Sequence, residues 1–192
     1  MGMPAAAAKD WTVEMLETLP DDGKRYEIIE GELFVTPAPA WRHQDVLGEL
    51  HFAFRSYLKL HRAGFVLTAP ADVDFDRQNI VQPDLFVAPL AHGRKPASFK
   101  EAGSLLLAIE ILSPSTGRLD RTKKRDLYRR FEVAEYWIVD MDARLVERWK
   151  PDDRRPEIVE GFIEWRPSAE HAPLEIDLQK FFAGIHGDEL TD

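Results

Sequence analysis

Between about Arg42 and His61, the apolar residues Val46, Leu47, Leu50, Phe54, Tyr57 and Leu58 recur at the three-to-four spacing of a single helix face. Polar residues fill the positions between them, and the pattern predicts a long amphipathic helix. Ahead of it, Tyr26–Glu30 and Glu32–Thr36 flank Gly31 and predict a tight hairpin, closed off by Pro37-Ala38-Pro39. A short helix carrying Met15, Leu16 and Leu19, capped by Asp10 or Thr12, precedes the hairpin. Downstream, Phe65–Thr68, Asp72–Phe75 and Pro83–Val87 are of strand length. The run from Leu105 to Ser113 is apolar at both alternating sets of positions, as a strand covered on both faces reads. A helix from about Asp120 to Phe131 follows it. Strands at Glu135–Asp140 and Arg144–Trp149 come next, then a strand near Ile158 to Trp165 and a small helix from Leu178 to Phe182. Helices and strands interleave in one α+β pattern, with residues 1–10 as a loose tail and 11–192 as a single domain without repeat or linker.

Composition narrows the class. With 192 residues, 44% hydrophobic and 31% charged, the chain is long enough to bury a proper core. No apolar run approaches the roughly 20 residues that cross a bilayer, and the first residues lack the basic and apolar regions of a secretory signal. Cysteine is absent, which excludes disulfides and thiolate metal sites and fits a cytoplasmic location. At a net charge of −9 the whole molecule does not attract nucleic acid, so any polyanion site must be local. No nucleophile elbow, Walker loop or dinucleotide fingerprint is present.

The candidate chemistry starts at Glu110, a carboxylate inside the most apolar run of the chain. Such a group is costly to desolvate unless a cation, a metal or several donors meet it. At about 100° per residue, Asp120, Lys124, Leu127, Tyr128 and Phe131 share one stripe of the following helix, so Lys124 is expected to point inward while Lys123 points to solvent. The plainer alternative is a lysine that lays its stem over the sheet edge and keeps its ammonium in water. Asp84, after Pro83 at the mouth of a strand, is a second candidate, with a simple turn as its alternative. Together, two hard carboxylates could hold Mg²⁺, or Mn²⁺ in its place. The lysine would assist at a phosphodiester.

Read in order, Pro83-Asp84, Glu110-Ile111-Leu112-Ser113-Pro114-Ser115-Thr116, Asp120…Lys124…Tyr128 and Glu135-Tyr136-Trp137-Ile138-Val139-Asp140 resemble the Uma2 family. That family is placed in the PD-(D/E)xK superfamily. Tyr26-Glu27-Ile28-Ile29-Glu30-Gly31-Glu32-Leu33, His43 and Leu174-Glu175-Ile176-Asp177-Leu178 match as well, so the resemblance spans about Trp11 to Phe182. It implies a restriction-endonuclease-like core, with a central mixed sheet flanked by a long N-terminal helix and a shorter basic helix. It also implies a Mg²⁺-dependent endonuclease acting on DNA. In the parent motif the lysine stands two residues after the glutamate, a position held here by Leu112; Lys124 would be the migrated lysine.

Other candidates are His43, as a donor or base beside the metal or simply as an exposed structural histidine, and Glu27, which shares a side with Ile29. Glu30 reads as a turn residue. Ser113, Ser115 and Thr116 could touch a phosphate, or merely form a loop that leads into a capped helix. From Arg118 to Arg130, seven basic residues face two acidic ones. Arg118, Arg121 and Lys123 are therefore candidate nucleic-acid contacts, although few aromatics interleave with this stripe. The strands from Tyr136 to Trp149 and the aromatic C-terminal part offer surface for a homodimer. Two classes of function stay open. One is the metal-dependent nuclease. The other is a non-catalytic nucleic-acid- or protein-binding module in which Glu110 and Lys124 form a structural ion pair. A glycosidase-like carboxylate pair would need neither an inward lysine nor a basic stripe.

Overall fold

The computed structural model describes residues 10–188 apart from Glu17, Asp21 and Ser115. Residues 1–9 of the expected loose tail (1–10) and the candidate Ser115 lie outside the described residues, while the Asp10 N–H donates to Gly31 O. Twelve strands and a handful of helices are arranged around one central sheet. The long amphipathic pattern forms α2 (Trp41–His61), after the short α1 (Val13–Leu16). The hairpin forms β1 (Arg25–Ile29) and β2 (Glu32–Thr36). Its two-residue turn has both centres at positive φ, Glu30 at 54° and Gly31 at 73°. This mirror-image turn matches the twist of the flanking strands, and a glycine at its second centre carries no Cβ penalty.

Next come β3 (Phe65–Thr68), β4 (Val73–Asp76), β5 (Asn79–Val81) and β6 (Leu85–Ala88), then the one-turn α3 (Phe99–Ala102) and β7 (Leu107–Ile111). The basic helix is composite: α4 (Gly117–Leu119), a π-helical turn at Asp120–Lys124 and α5 (Arg125–Arg130). After it follow β8 (Tyr136–Asp140), β9 (Leu145–Trp149), β10 (Glu157–Val159), β11 (Phe162–Trp165), β12 (Leu174–Asp177) and α6 (Leu178–His186). The single strand expected near Ile158–Trp165 is thus two strands with different partners. β10 pairs with β9 and β11 with β12, and the chain turns between them at Glu160-Gly161.

The central sheet runs β10-β9-β8-β7-β6-β3 and is mixed, with β7 and β8 parallel and its other pairs antiparallel. The alternation along its strands sorts the core into two layers. Leu85, Val87, Leu107, Ile109 and Ile111 pack with Val46, Leu50 and Phe54 of α2. Phe86, Ala108 and Ile138 pack on the other side with Leu127 and Tyr128 of α5 and with Val73 and Val81 of the smaller sheet β2-β1-β5-β4. Glu110 shares its parity with Ala108 and so belongs to this second layer. Its buried neighbours Leu107, Ile109 and Ile111 each contribute roughly 1.5–3 kcal/mol. Together they hold β7 in register against the cost of seating a carboxylate there.

No helix is long and apolar enough to cross a membrane among the described residues. The strands on which a homodimer was expected lie inside the fold, with Tyr136, Trp137, Ile138 and Val139 all buried. The most exposed large apolar side chains are Trp41, Phe52 and Leu60 on α2, with Ile158 and, in the aromatic C-terminal part, Phe162.

Candidate active site

The site lies where the parallel strands β7 and β8 end, the edge at which sheets of this kind form a crevice. Leu112, Ser113 and Pro114 beyond β7 and Met141 beyond β8 line a cavity of about 230 Å³, with Thr36–Ala40 forming its opposite wall. In the β6–β7 register Leu85 lies opposite Ile109. Continued by one pair, that register sets Asp84 opposite Glu110. The two acids are therefore neighbours across a strand pair, although 26 residues apart in sequence (110 minus 84).

Three carboxylates here meet protein donors, Asp84 through both oxygens and Glu110 and Glu27 through Oε1. Asp84 Oδ2 accepts from the Ile111 N–H at 2.9 Å and contacts His43 Nε2 at 3.0 Å, while its Oδ1 accepts from Arg25 at 2.7 Å. Glu110 Oε1 accepts from Lys124 Nζ at 3.0 Å and from the Tyr128 hydroxyl at 2.9 Å. Glu27 Oε1 accepts from the Gln82 N–H at 2.8 Å and lies 2.9 Å from Lys124 Nζ. An ionised carboxylate oxygen offers about two lone-pair positions. The Asp84 Oδ2, Glu110 Oε1 and Glu27 Oε1 positions are filled. Further chemistry falls to Asp84 Oδ1 and to the second oxygen of Glu110.

Lys124 is the hub of this arrangement. The inward phase expected of it is observed: the residue is 3% exposed, and Asp120, Leu127 and Tyr128 of the same stripe are buried with it. Asp120 Oδ1 stands 3.9 Å from its ammonium. Burial pulls the Lys124 pKa down, but Glu110, Glu27 and Asp120 outweigh it and hold the group well above the ordinary lysine range. The surrounding acids thus favour the charged ammonium. Glu110 goes the other way: burial raises it, and Asp84, Asp120 and Glu27 add to the rise against the opposing pull of Lys124. Asp84 stays ionised. Burial would raise it, yet the His43 hydrogen bond, the Arg25 guanidinium and the Ile111 N–H bring it down to about 2.

Asp120 is the least compensated of the set. It is 1% exposed, and neither of its carboxylate oxygens has a hydrogen-bond partner. Burial raises it to about 6, against the pull of Lys124 and the nearby Thr116 hydroxyl. Because the folded value lies above the unfolded one, Asp120 costs no stability below pH 4 and a growing amount as the pH rises toward 6. Asp120→Asn is therefore expected to stabilise the protein by about 1–3 kcal/mol at pH 8. In urea melts of both proteins the difference should shrink toward zero near pH 4. An equal difference at both pH values would show that Asp120 is not the titrating group.

The site gathers some of the sequence candidates and leaves others out. Glu27, His43, Asp84, Glu110, Ser113, Thr116 and Lys124 all line the cavity. His43 is not exposed as expected but 5% exposed, drawn in by Asp84. Ser113 Oγ and Thr116 Oγ1 lie 3.0 Å apart. Arg118, Arg121 and Lys123 do not line the cavity. Much of the basic stripe is neutralised by the protein's own acids, with Arg121 on Asp140 and Glu147, Lys123 on Glu32, Arg125 on Asp126 and Arg130 on Glu30. Arg25 and Tyr128 bear directly on the acids, yet neither was singled out as a site residue from sequence. Arg25 alternates with Glu27 on β1, and that spacing is the signal that could have found it.

Asp84 and Glu110 are the cleft residues that could hold a hard divalent cation. Two carboxylates on neighbouring strands suit Mg²⁺, which keeps several waters and is completed by phosphate oxygens. Among the described residues no group of three or more Asp, Glu or His side chains is placed to hold a metal ion. A metal site here is thus a two-carboxylate site in which Arg25 already meets Asp84 Oδ1 as a cation.

Fold and site together define a restriction-endonuclease-like protein. The chain belongs to the Uma2 family, described as "putative restriction endonuclease", whose family model matches residues 13–183. A crystal structure of a "putative nuclease belonging to DUF820" from Anabaena variabilis ATCC 29413 superposes with a TM-score of 0.75 at 20% identity. The match covers 91% of this chain and 98% of that one. No curated protein matches the chain.

Proposed function

We propose that this protein is a Mg²⁺-dependent endonuclease that hydrolyses phosphodiester bonds of DNA. The observation that carries the proposal is that Asp84, directly before β6, and Glu110, on the neighbouring β7, line one cleft, with the buried Lys124 ammonium on Glu110. Asp84 Oδ1 and the second oxygen of Glu110 would hold the metal. When bound, the ion polarises a phosphoryl oxygen and lowers the pKa of a bound water. Lys124, fixed and favoured in its charged form, supplies positive potential where negative charge develops on the phosphorus oxygens. It also keeps Glu110 aimed, because Glu110 cannot turn without breaking the bonds from Lys124 and Tyr128. The Ser113 and Thr116 hydroxyls at the cleft wall offer polar contacts to the phosphate strand.

A binding module without turnover is the second reading. It is favoured by a specific fact: both acids already have cations, Asp84 from Arg25 and Glu110 from Lys124. Calorimetric titration with Mg²⁺ and Mn²⁺, alongside cleavage of plasmid and linear DNA, separates the two. The nuclease reading expects heat on metal addition and metal-dependent cleavage, with Asp84→Asn and Glu110→Gln each slowing cleavage at least about a hundredfold. Wild-type protein that binds neither ion and leaves DNA intact would end it.

A further inference from the structure

We propose that a second cavity, behind the basic helix, binds a phosphate group, carried either by a free phosphate ion or by a nucleic-acid strand. The proposal does not depend on the nuclease reading. Arg125, Arg129 and Lys150 line this cavity, with Asp153 as the one acid in its wall among the described residues. Tyr128, Tyr136 and Trp149 form its aromatic side, and none of these residues lines the cleft. In the β8–β9 register Tyr136, the first residue of β8, pairs with Trp149, the last of β9. The cavity therefore sits at the end of β8 away from the cleft.

Its charges are only partly met from within. Asp126 Oδ1 lies 2.6 Å from Arg125 and 3.7 Å from Arg129, so the two arginines share one acid. Asp153 Oδ2 accepts from the Lys150 backbone N–H at 2.7 Å, and the Lys150 ammonium has no ion pair among the described residues. Three cations thus stand against two carboxylates, in a chain whose net charge is −9. Arg125 and Arg129 are one helical turn apart and border the same mouth. The Arg125 guanidinium is held 5.1 Å from the centre of the Trp149 ring.

An unused donor completes the set. Trp149 is 9% exposed and its indole N–H has no hydrogen-bond partner, a state that folded proteins rarely leave without a ligand or water. The neighbouring hydroxyls are committed elsewhere, Tyr128 to Glu110 Oε1 and Tyr136 to the Asp120 carbonyl. Size selects among anions. The cavity measures about 20 Å³ against about 230 Å³ for the cleft, which admits one water-sized group and no base or sugar. A phosphate offers roughly three acceptor oxygens and close to two negative charges. One oxygen enters the cavity, and the others meet Arg129 and Lys150 at its mouth. A carboxylate has too few oxygens to meet all of these donors.

The test uses the full chain in EDTA at fixed ionic strength. Calorimetry follows inorganic phosphate, then a short oligonucleotide with and without a terminal phosphate. Inorganic phosphate is expected to bind the wild type saturably, and joint Arg129→Ala and Lys150→Ala substitution should weaken it at least about tenfold. Both side chains are exposed, so this variant should fold, which its melting temperature checks. Trp149→Phe keeps a buried ring but removes the indole donor, and should weaken binding about threefold or more. A terminal phosphate that tightens oligonucleotide binding, with the gain lost in the double variant, makes the strand the source. Binding of inorganic phosphate without such a gain makes the free ion the source. Heat that does not saturate, or that is equal in the wild type and the double variant, marks an adventitious ion only and overturns the proposal. So does wild-type protein that takes up neither inorganic phosphate nor the phosphorylated strand. Neither of these failures touches the reading of the cleft.

Discussion

Lys124→Met is expected to cost the fold about 3–5 kcal/mol at pH 7, the usual consequence of removing one member of a buried ionic group. Methionine fills much of the same space, so the loss would be electrostatic. Glu27, Glu110 and Asp120 are all buried, and each lies within 4.0 Å of the one ammonium. Without it they can stay in place only by taking up protons. Burial already holds Glu110 and Asp120 above their ordinary values against the pull of Lys124, and without the ammonium both would rise further. In that direction stability is lost as the pH rises, so the deficit of the variant should be smaller at pH 5 than at pH 8. Denaturant midpoints across that range measure it. A second variant tests the cause: adding Glu27→Gln and Glu110→Gln to Lys124→Met should recover part of the loss, because the stranded charges are gone. If the triple variant is no more stable than Lys124→Met, packing rather than charge is what the lysine supplies. A lysine variant is therefore expected to be destabilised whatever its chemistry, and Lys124 is a poor choice for testing catalysis alone; Asp84→Asn and Glu110→Gln are better ones.

Arg25→Ala is expected to tighten Mn²⁺ binding in the absence of nucleic acid. Both lone-pair positions on Asp84 Oδ2 are taken by His43 and Ile111, which leaves Oδ1, and Arg25 is on it at 2.7 Å. A metal ion held by Asp84 must share that oxygen with the guanidinium or displace it. The Arg25 side chain is 18% exposed, and a pair at such a partly solvated position is worth about 1 kcal/mol. Removing the competitor should then lower the Mn²⁺ dissociation constant about fivefold. Calorimetry on the wild type, Arg25→Ala and Arg25→Gln gives the comparison, with Asp84→Asn as the control that removes the shared oxygen. Unchanged or weaker binding in both Arg25 variants would show that guanidinium and ion do not compete. The same substitutions should lower the melting temperature in EDTA, because Asp84 then keeps only His43 and the Ile111 N–H.

The parts of the site that could be read from sequence are those where local pattern and burial agree. Glu110 declared itself by its apolar neighbours and Lys124 by helical phase, and both are buried where the pattern placed them. The mixed sheet, the long helix and the hairpin were legible for the same reason. Other features depend on tertiary contact. His43 read either as a donor beside the site or as an exposed residue, because nothing along α2 reveals that Asp84 reaches its ring. The π turn at Asp120–Lys124 leaves no sequence signature, since it shifts the backbone bonding without changing which residues are apolar. The three residues of β5 are too few to show alternation between their flanking turns. Asp120 lay on the inward stripe beside Lys124, but periodicity alone does not tell whether a buried acid finds a donor.

The charges at the cleft also join two layers of the molecule. Arg25 and Glu27 come from the small sheet, Asp84 and Glu110 from the central one, and Lys124 from the helix that packs between them. Cohesion and the proposed chemistry thus draw on the same few atoms. Drift in these residues is doubly constrained: a lineage that abandoned the chemistry would still have to keep the ions, or replace them together, to hold its architecture.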